Sequence, residues 1–319
     1  MYATGDEKTT LAKGAGPEGR RADHRGSPVR RSVRGPVGGN EEGRGMKAPW
    51  WQWPNILSLD APVIALVWQE SFARTLGSPV SGAERLLLFL VVWCVYAADH
   101  IADGLRLGVP AEATARHRFA HRHSGALAVL VLAASVTGLL LVGALPPRVL
   151  SGGLLLAVIV GGYFLWNHLA GPGLARSWAK EGVVGVVFAA GCALGPITAH
   201  PGLLPVLAVG LFALLCIANC LFISRLEREL DILRGESSLA VKLPPQSRPA
   251  RVLAAVVACA ALPFWAVWPG LVVSLILSAV GLWCGVFVER RFGREFAAVW
   301  ADAVLLSPVL TWPWLEWGV

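Results

Sequence analysis

Four acidic residues, arranged as two pairs, are the residues of this chain whose types and spacing could do chemistry. Asp99 and Asp103, in the run Tyr96-Ala97-Ala98-Asp99-His100-Ile101-Ala102-Asp103, stand four apart and leave one helix face together. Glu227 and Asp231, in Arg225-Leu226-Glu227-Arg228-Glu229-Leu230-Asp231, repeat that spacing, while Glu229 turns elsewhere. Two carboxylates held this close repel each other unless a cation lies between them. Mg²⁺ suits such a pair, because it accepts one or two carboxylates, keeps some water and takes phosphate oxygens. Basic residues surround both pairs: Arg106 and Arg116 follow the first, Arg176 and Lys180 precede a later apolar run, and Arg225 and Arg228 flank the second. Acid pairs holding Mg²⁺, with cations aimed at the same volume, form the apparatus for a diphosphate. One such cluster alone reads as a solvated helix end, and one such cation as an anchor at the lipid surface. Two clusters at matched depth on one side favour a shared site.

The elements that must position these residues are membrane helices. Of the 319 residues, 55% are hydrophobic and only 15% charged, against roughly 25% charged in a soluble domain. Nine segments are long enough to cross about 30 Å of hydrocarbon: roughly 56–75, 84–103, 124–144, 149–167, 181–199, 203–224, 250–268, 270–288 and 296–314. The first carries Asp60 and Glu70, and the last carries Asp302, Pro308 and Pro313. Asp60, just ahead of Pro62, reads as a helix cap, whereas Glu70 and Asp302 should face the bundle interior. The expected architecture is therefore all-α: a polytopic bundle of about nine transmembrane helices over residues 47–319.

Charge sets the expected orientation. With the N-terminus inside, the inner connections and the first residues of the seventh helix hold 15 Lys and Arg, against three (Arg74, Arg85 and Arg148) outside. The net charge of +7 thus points to anionic lipid and away from nucleic acid. Residues 1–46 read as a disordered basic tail touching lipid head groups, or as an extension ahead of a true start at Met46. The six cysteines all lie in apolar runs and read as small packing residues. With no secretory or organelle signal in view, a prokaryotic inner membrane is expected, with the site on the cytoplasmic face.

At this point the chain resembles the UbiA-type intramembrane prenyltransferases, over residues 50 to 319. The resemblance rests on the helix count, the acidic motifs after helices two and six, and a basic residue ahead of a Gly/Ala-rich fifth helix. It implies Mg²⁺ at Asp99, Asp103, Glu227 and Asp231, with diphosphate held by Arg106, Arg116, Arg176, Lys180 and Arg228. The implied reaction transfers a prenyl group from an isoprenyl diphosphate to a lipophilic acceptor, aromatic or lipid, with the tail among residues such as Phe164, Trp166, Phe188 and Phe212. The pattern also departs from the family: Val95 and Tyr96 stand where an Asn-Asp is expected, and Asn219 or Cys220 where helix six often has another Asp. Those losses favour the alternative, a catalytically inactive UbiA-like protein that binds a lipid or a protein partner. A di-iron site is a third possibility, raised by His117, His121 and His123. With His100 and His168 the inner side holds five imidazoles, too few for it.

Overall fold

The structure is a computed structural model describing residues 48–107, 114–169, 174–233, 238–244 and 247–315, with their side chains apart from those of 103–107, 167–169, 174–179, 233, 314 and 315. The expected tail at 1–46 lies outside the described residues. Among those described there are thirteen α-helices, three short 3-10 turns and no strand. Seven helical segments are long and apolar enough to cross a membrane, or eight if one sharply bent pair counts as a crossing. The chain is therefore an all-helical membrane protein.

The helices are α1 (Trp53–Ile56), α2 (Asp60–Thr75), α3 (Gly82–Leu107), α4 (Ala115–Arg122), α5 (Ser124–Leu141), α6 (Pro147–Leu169) and α7 (Leu174–Ala199), then α8 (Leu203–Leu233), α9 (Leu239–Lys242), α10 (Pro249–Ala261), α11 (Pro269–Phe292), α12 (Arg294–Val304) and α13 (Pro308–Leu315). All nine expected segments are helical, and three differ from a plain crossing: the first, the seventh and the last. The first is bent by 81° between Trp50–Ile56 and Asp60–Thr75. Ser58 adopts a left-handed φ of 56° at the corner, and Pro62 fits the first turn of α2, where its missing N–H costs nothing. The seventh is α10, 13 residues followed by a 3-10 turn at Leu262–Phe264. At 1.5 Å per residue α10 is about 20 Å long, and Pro263 prevents it from continuing.

The core lies between α2, α7, α8, α10, α11 and α12. Trp68 stacks on Phe212 with ring centroids 4.0 Å apart, and Phe72 packs beside both. Small residues set the helix separations: a Cβ on Gly185 would meet the Ile217 backbone nitrogen at 2.8 Å, so α7 and α8 touch nearly backbone to backbone. Gly161 and Gly162 of α6 have nothing among the described residues within 4 Å, whereas a Cβ on Gly152 of the same helix would meet Leu194 at 2.6 Å. The outer helices α5 and α6 present Val129, Leu132, Leu140, Leu155 and Val158 outward, a surface suited to hydrocarbon.

Two local devices fix the ends of the first long helices. Ser81 and Glu84 form a reciprocal capping box at the start of α3: the Ser81 N–H donates to Glu84 at 2.8 Å and the Glu84 N–H to the Ser81 hydroxyl at 3.2 Å. Glu70, expected to face the interior, instead accepts from Arg74 and Arg85, each at 2.8 Å, and ties α2 to α3. Its carboxylate reaches two guanidinium groups at the end of α2 and the start of α3, which offset the cost of burying it.

The last segment is broken at 305–307, between α12 and α13, and the loose backbone is taken up by side chains. Trp68 Nε1–H donates to the Leu305 carbonyl at 2.8 Å, and the Ser278 hydroxyl to the Val304 carbonyl at 2.8 Å. Ser307 donates to the Ser274 carbonyl at 2.8 Å, and Ser274 pairs with Thr311 at 2.6 Å. Irregular backbone at membrane depth survives only with such partners.

Candidate functional site

The polar cluster of the molecule is centred on Arg116, which α4 brings against the bundle. Arg116 pairs with Glu227 of α8, 111 residues away in sequence. Burial works against the charge of this guanidinium, and Glu227, with Asp60, Asp302 and Asp99 beyond it, holds the pKa above its ordinary value. The two acidic motifs therefore meet at one arginine: Glu227 by direct contact and Asp99 through its field. Lys180 enters from α7, and His100 of α3 lies in the fields of both Arg116 and Lys180.

Two further acids join them. Asp60 is the first residue of α2, where its Oδ1 accepts the Ala61 N–H at 2.9 Å and its Oδ2 accepts from Asn55 at 2.7 Å. It does act near the helix start, as its place before Pro62 suggests, but it also stands beside Asp302 of α12, within hydrogen-bonding reach. Asp302 faces the interior as expected, and its Oδ1 accepts from Asn219 Nδ2 of α8 at 3.0 Å. Tyr96 and Cys220 lie among these groups: Tyr96 in the fields of Asp302 and Asp60, Cys220 in those of Glu181, Asp302 and Lys180. Glu181 of α7, 3% exposed, accepts from the Ser224 hydroxyl at 2.9 Å.

The cluster is incompletely satisfied. Arg116 Nε, Asn219 Oδ1 and Glu181 Oε2 are all buried without a hydrogen-bond partner. Buried polar atoms are almost always paired, so three orphans in one cluster need a physical reason, and a bound ligand or ion is one. The charge balance points the same way. Five acidic side chains (Asp60, Asp99, Glu181, Glu227 and Asp302) face Arg116 and Lys180, and even with one proton shared between Asp60 and Asp302 the acids outnumber the cations.

Of the residues expected from sequence to form the site, Asp99, Glu227, Arg116 and Lys180 come together here. Asp231, 9% exposed, lies one turn further along α8. Arg228 goes elsewhere: its Nε donates to the Ala240 carbonyl of α9 at 2.9 Å, because residue 228 sits on a different face of α8 from Glu227. The side chains of Asp103, Arg106 and Arg176 lie outside the described residues. Of the four aromatics expected along a prenyl tail, Phe188 and Phe212 pack on each other in the core with ring centroids 6.3 Å apart, while Trp166 is exposed on α6. Sequence reasoning passed over Glu181, whose only signal was a carboxylate at the threshold of an apolar run.

Among the described residues no three His, Cys, Asp or Glu side chains stand at metal-binding spacing. The donors present are nonetheless hard carboxylate oxygens, and Mg²⁺ needs only one or two of them with phosphate and water completing its shell. Comparison with protein-family models, curated proteins and solved structures gives no match.

Proposed function

We propose that the Arg116 cluster binds the diphosphate of an isoprenyl diphosphate and that the protein transfers the prenyl group to a lipophilic acceptor, aromatic or lipid, in a UbiA-like manner. The observation that carries this reading is the set of orphaned buried atoms on Arg116, Asn219 and Glu181, placed where both acidic motifs meet. Tyr96 stands where the resembling family has an acid, but it lies beside Asp60 and Asp302. In this reading Asp60 of α2 and Asp302 of α12 would replace, in the same volume, the one carboxylate missing from the first motif.

In this reading Mg²⁺ would take one or two carboxylates from among Asp99, Asp103, Glu227 and Asp231, with water and diphosphate oxygens completing its shell, and would neutralise charge on the diphosphate. Arg116 and Lys180 would donate to the departing diphosphate as its C–O bond breaks and the oxygen keeps the electron pair. Arg116 must leave Glu227 to do so, and its unused Nε–H gives it a second direction in which to donate. The acceptor then forms the new bond to the allylic carbon and loses a proton. The same reading has nine crossings, counting the bent first pair and α10, with the N-terminus and site cytoplasmic in a prokaryotic inner membrane. Its support is the excess of Lys and Arg on the inner connections.

A second reading rests on the Arg116–Glu227 pair itself, which occupies one expected metal ligand with a cation. In that reading the scaffold binds a lipid or protein partner without chemistry. The test is binding of a non-hydrolysable geranylgeranyl diphosphate analogue to the purified protein in detergent, with and without Mg²⁺, beside Asp99→Ala/Asp231→Ala. Binding that requires both Mg²⁺ and the acids supports the transferase. Equal binding by wild type and variant, or none by either, removes it in favour of the scaffold.

A further inference from the structure

The opposite side of α8 leads to a second charged feature that the Arg116 cluster does not use. Arg248 precedes α10, and along its outward face follow Arg251, Val252, Ala255, Val256 and Cys259, at the spacing of one helix stripe. With Trp283 of α11 as the second wall, these residues line a sideways-open groove of about 550 Å³. From Arg248 to Cys259 the helix rises about 16 Å, so the groove has one cationic end and a long apolar body.

The cationic end is unlike other arginines nearby. Arg225 is paired with Glu289 and Arg294 with Glu229, whereas Arg248 and Arg251 have no carboxylate partner among the described residues. Arg251 lies over the Trp283 ring, its guanidinium carbon 3.8 Å from that centroid and 5.9 Å from that of Phe287, and its buried Nε has no hydrogen-bond partner. Arg248 is exposed. Behind the two lies a cavity of about 30 Å³, roughly the volume of one water, bordered also by Arg228 and Ser247.

We propose that this groove holds one anionic phospholipid, its phosphate between Arg248 and Arg251 and an acyl chain along Val252, Val256 and Cys259 against Trp283. The guanidinium fork matches a phosphate, and its place over the indole pre-orients it at little entropic cost. The apolar body excludes a free phosphate as the natural occupant, since an inorganic ion would leave Val252, Val256 and Trp283 uncovered. The shortness of α10 fits the same arrangement: its basic start is drawn into the bilayer margin, where head-group phosphates lie. The proposal stands apart from the Arg116 cluster and from any activity there.

The experiment is native mass spectrometry of the full chain in detergent micelles, titrated with dioleoylphosphatidylglycerol or dioleoylphosphatidylcholine. Wild type should retain one phosphatidylglycerol at roughly tenfold or lower concentration than phosphatidylcholine. Arg248→Gln/Arg251→Gln should lose that preference. Val256→Trp, which fills the groove and keeps both arginines, should lose retention of phosphatidylglycerol and remain monodisperse, which covers the case in which the arginine variant fails to fold. Displacement by millimolar inorganic phosphate would reduce the site to a bare anion contact and overturn the proposal. Equal retention by wild type and Val256→Trp, or a groove covered by a second copy that Val256→Trp releases as monomer, would also overturn it.

Discussion

Two regions of this bundle bury polar groups in an apolar setting, and they handle them in opposite ways. Beneath the α12–α13 break, each loosened group named above has a partner: Trp68 on the Leu305 carbonyl, Ser278 on Val304, Ser307 on Ser274, and Ser274 with Thr311. Around Arg116 the partners run out, with Arg116 Nε, Asn219 Oδ1 and Glu181 Oε2 left over and carboxylates outnumbering cations. The first network repairs a backbone defect and contains no ionisable group. The second repairs no backbone defect, and under the proposed function the cost of its charges is offset by ligand binding.

That distinction can be broken by substitutions that should act on one property and spare the other. Arg116→Gln should have the largest effect, a roughly hundredfold loss of Mg²⁺-dependent affinity for the diphosphate analogue in titration calorimetry, since a charge-assisted hydrogen bond is lost. Trp68→Phe should cost about 1–3 kcal/mol in reversible unfolding in mixed micelles, because the Leu305 carbonyl is orphaned, and leave ligand response intact. Ser278→Ala should cost less, about 0.6 and at most about 1.7 kcal/mol, the range for interhelical hydrogen bonds in membranes. A Trp68 or Ser278 variant that lost ligand response with unchanged stability would erase the contrast.

Glu181→Gln sharpens it through the sign of the effect. Replacing a buried, half-satisfied carboxylate by an amide should raise the unfolding free energy by about 1 kcal/mol, and with it the midpoint, while weakening analogue binding. A lowered midpoint would place Glu181 in the structural class. The smallest effect is expected at the exposed pair Arg294–Glu229, where Arg294→Ala should change neither the midpoint nor ligand response, because solvent screens the contact.

Much of the fold was legible because helix periodicity and apolar length are local properties. All nine expected segments are helical, and the misreadings fall where proline or a side-chain partner intervenes: the bend at Ser58, the early end of α10 at Pro263, and the Glu70 pairs. The site was legible in part. Asp99 and Glu227 announce themselves by spacing, and Asp302 by its cost in an apolar run, but nothing in the sequence places Asp60 beside Asp302 or sends Arg228 toward α9.

By itself the sequence determined the class of molecule, its helical segments and which carboxylates share a helix face. Those follow from composition and from a repeat of 3.6 residues that needs no long-range contact. Only the tertiary structure decided that Arg116 meets Glu227, that Asn219 holds Asp302, and that Arg251 lies on Trp283. Each of those pairings depends on which helix faces oppose each other and how closely. That is set by packing such as Gly185 against Ile217, where a single methyl group would force the helices apart.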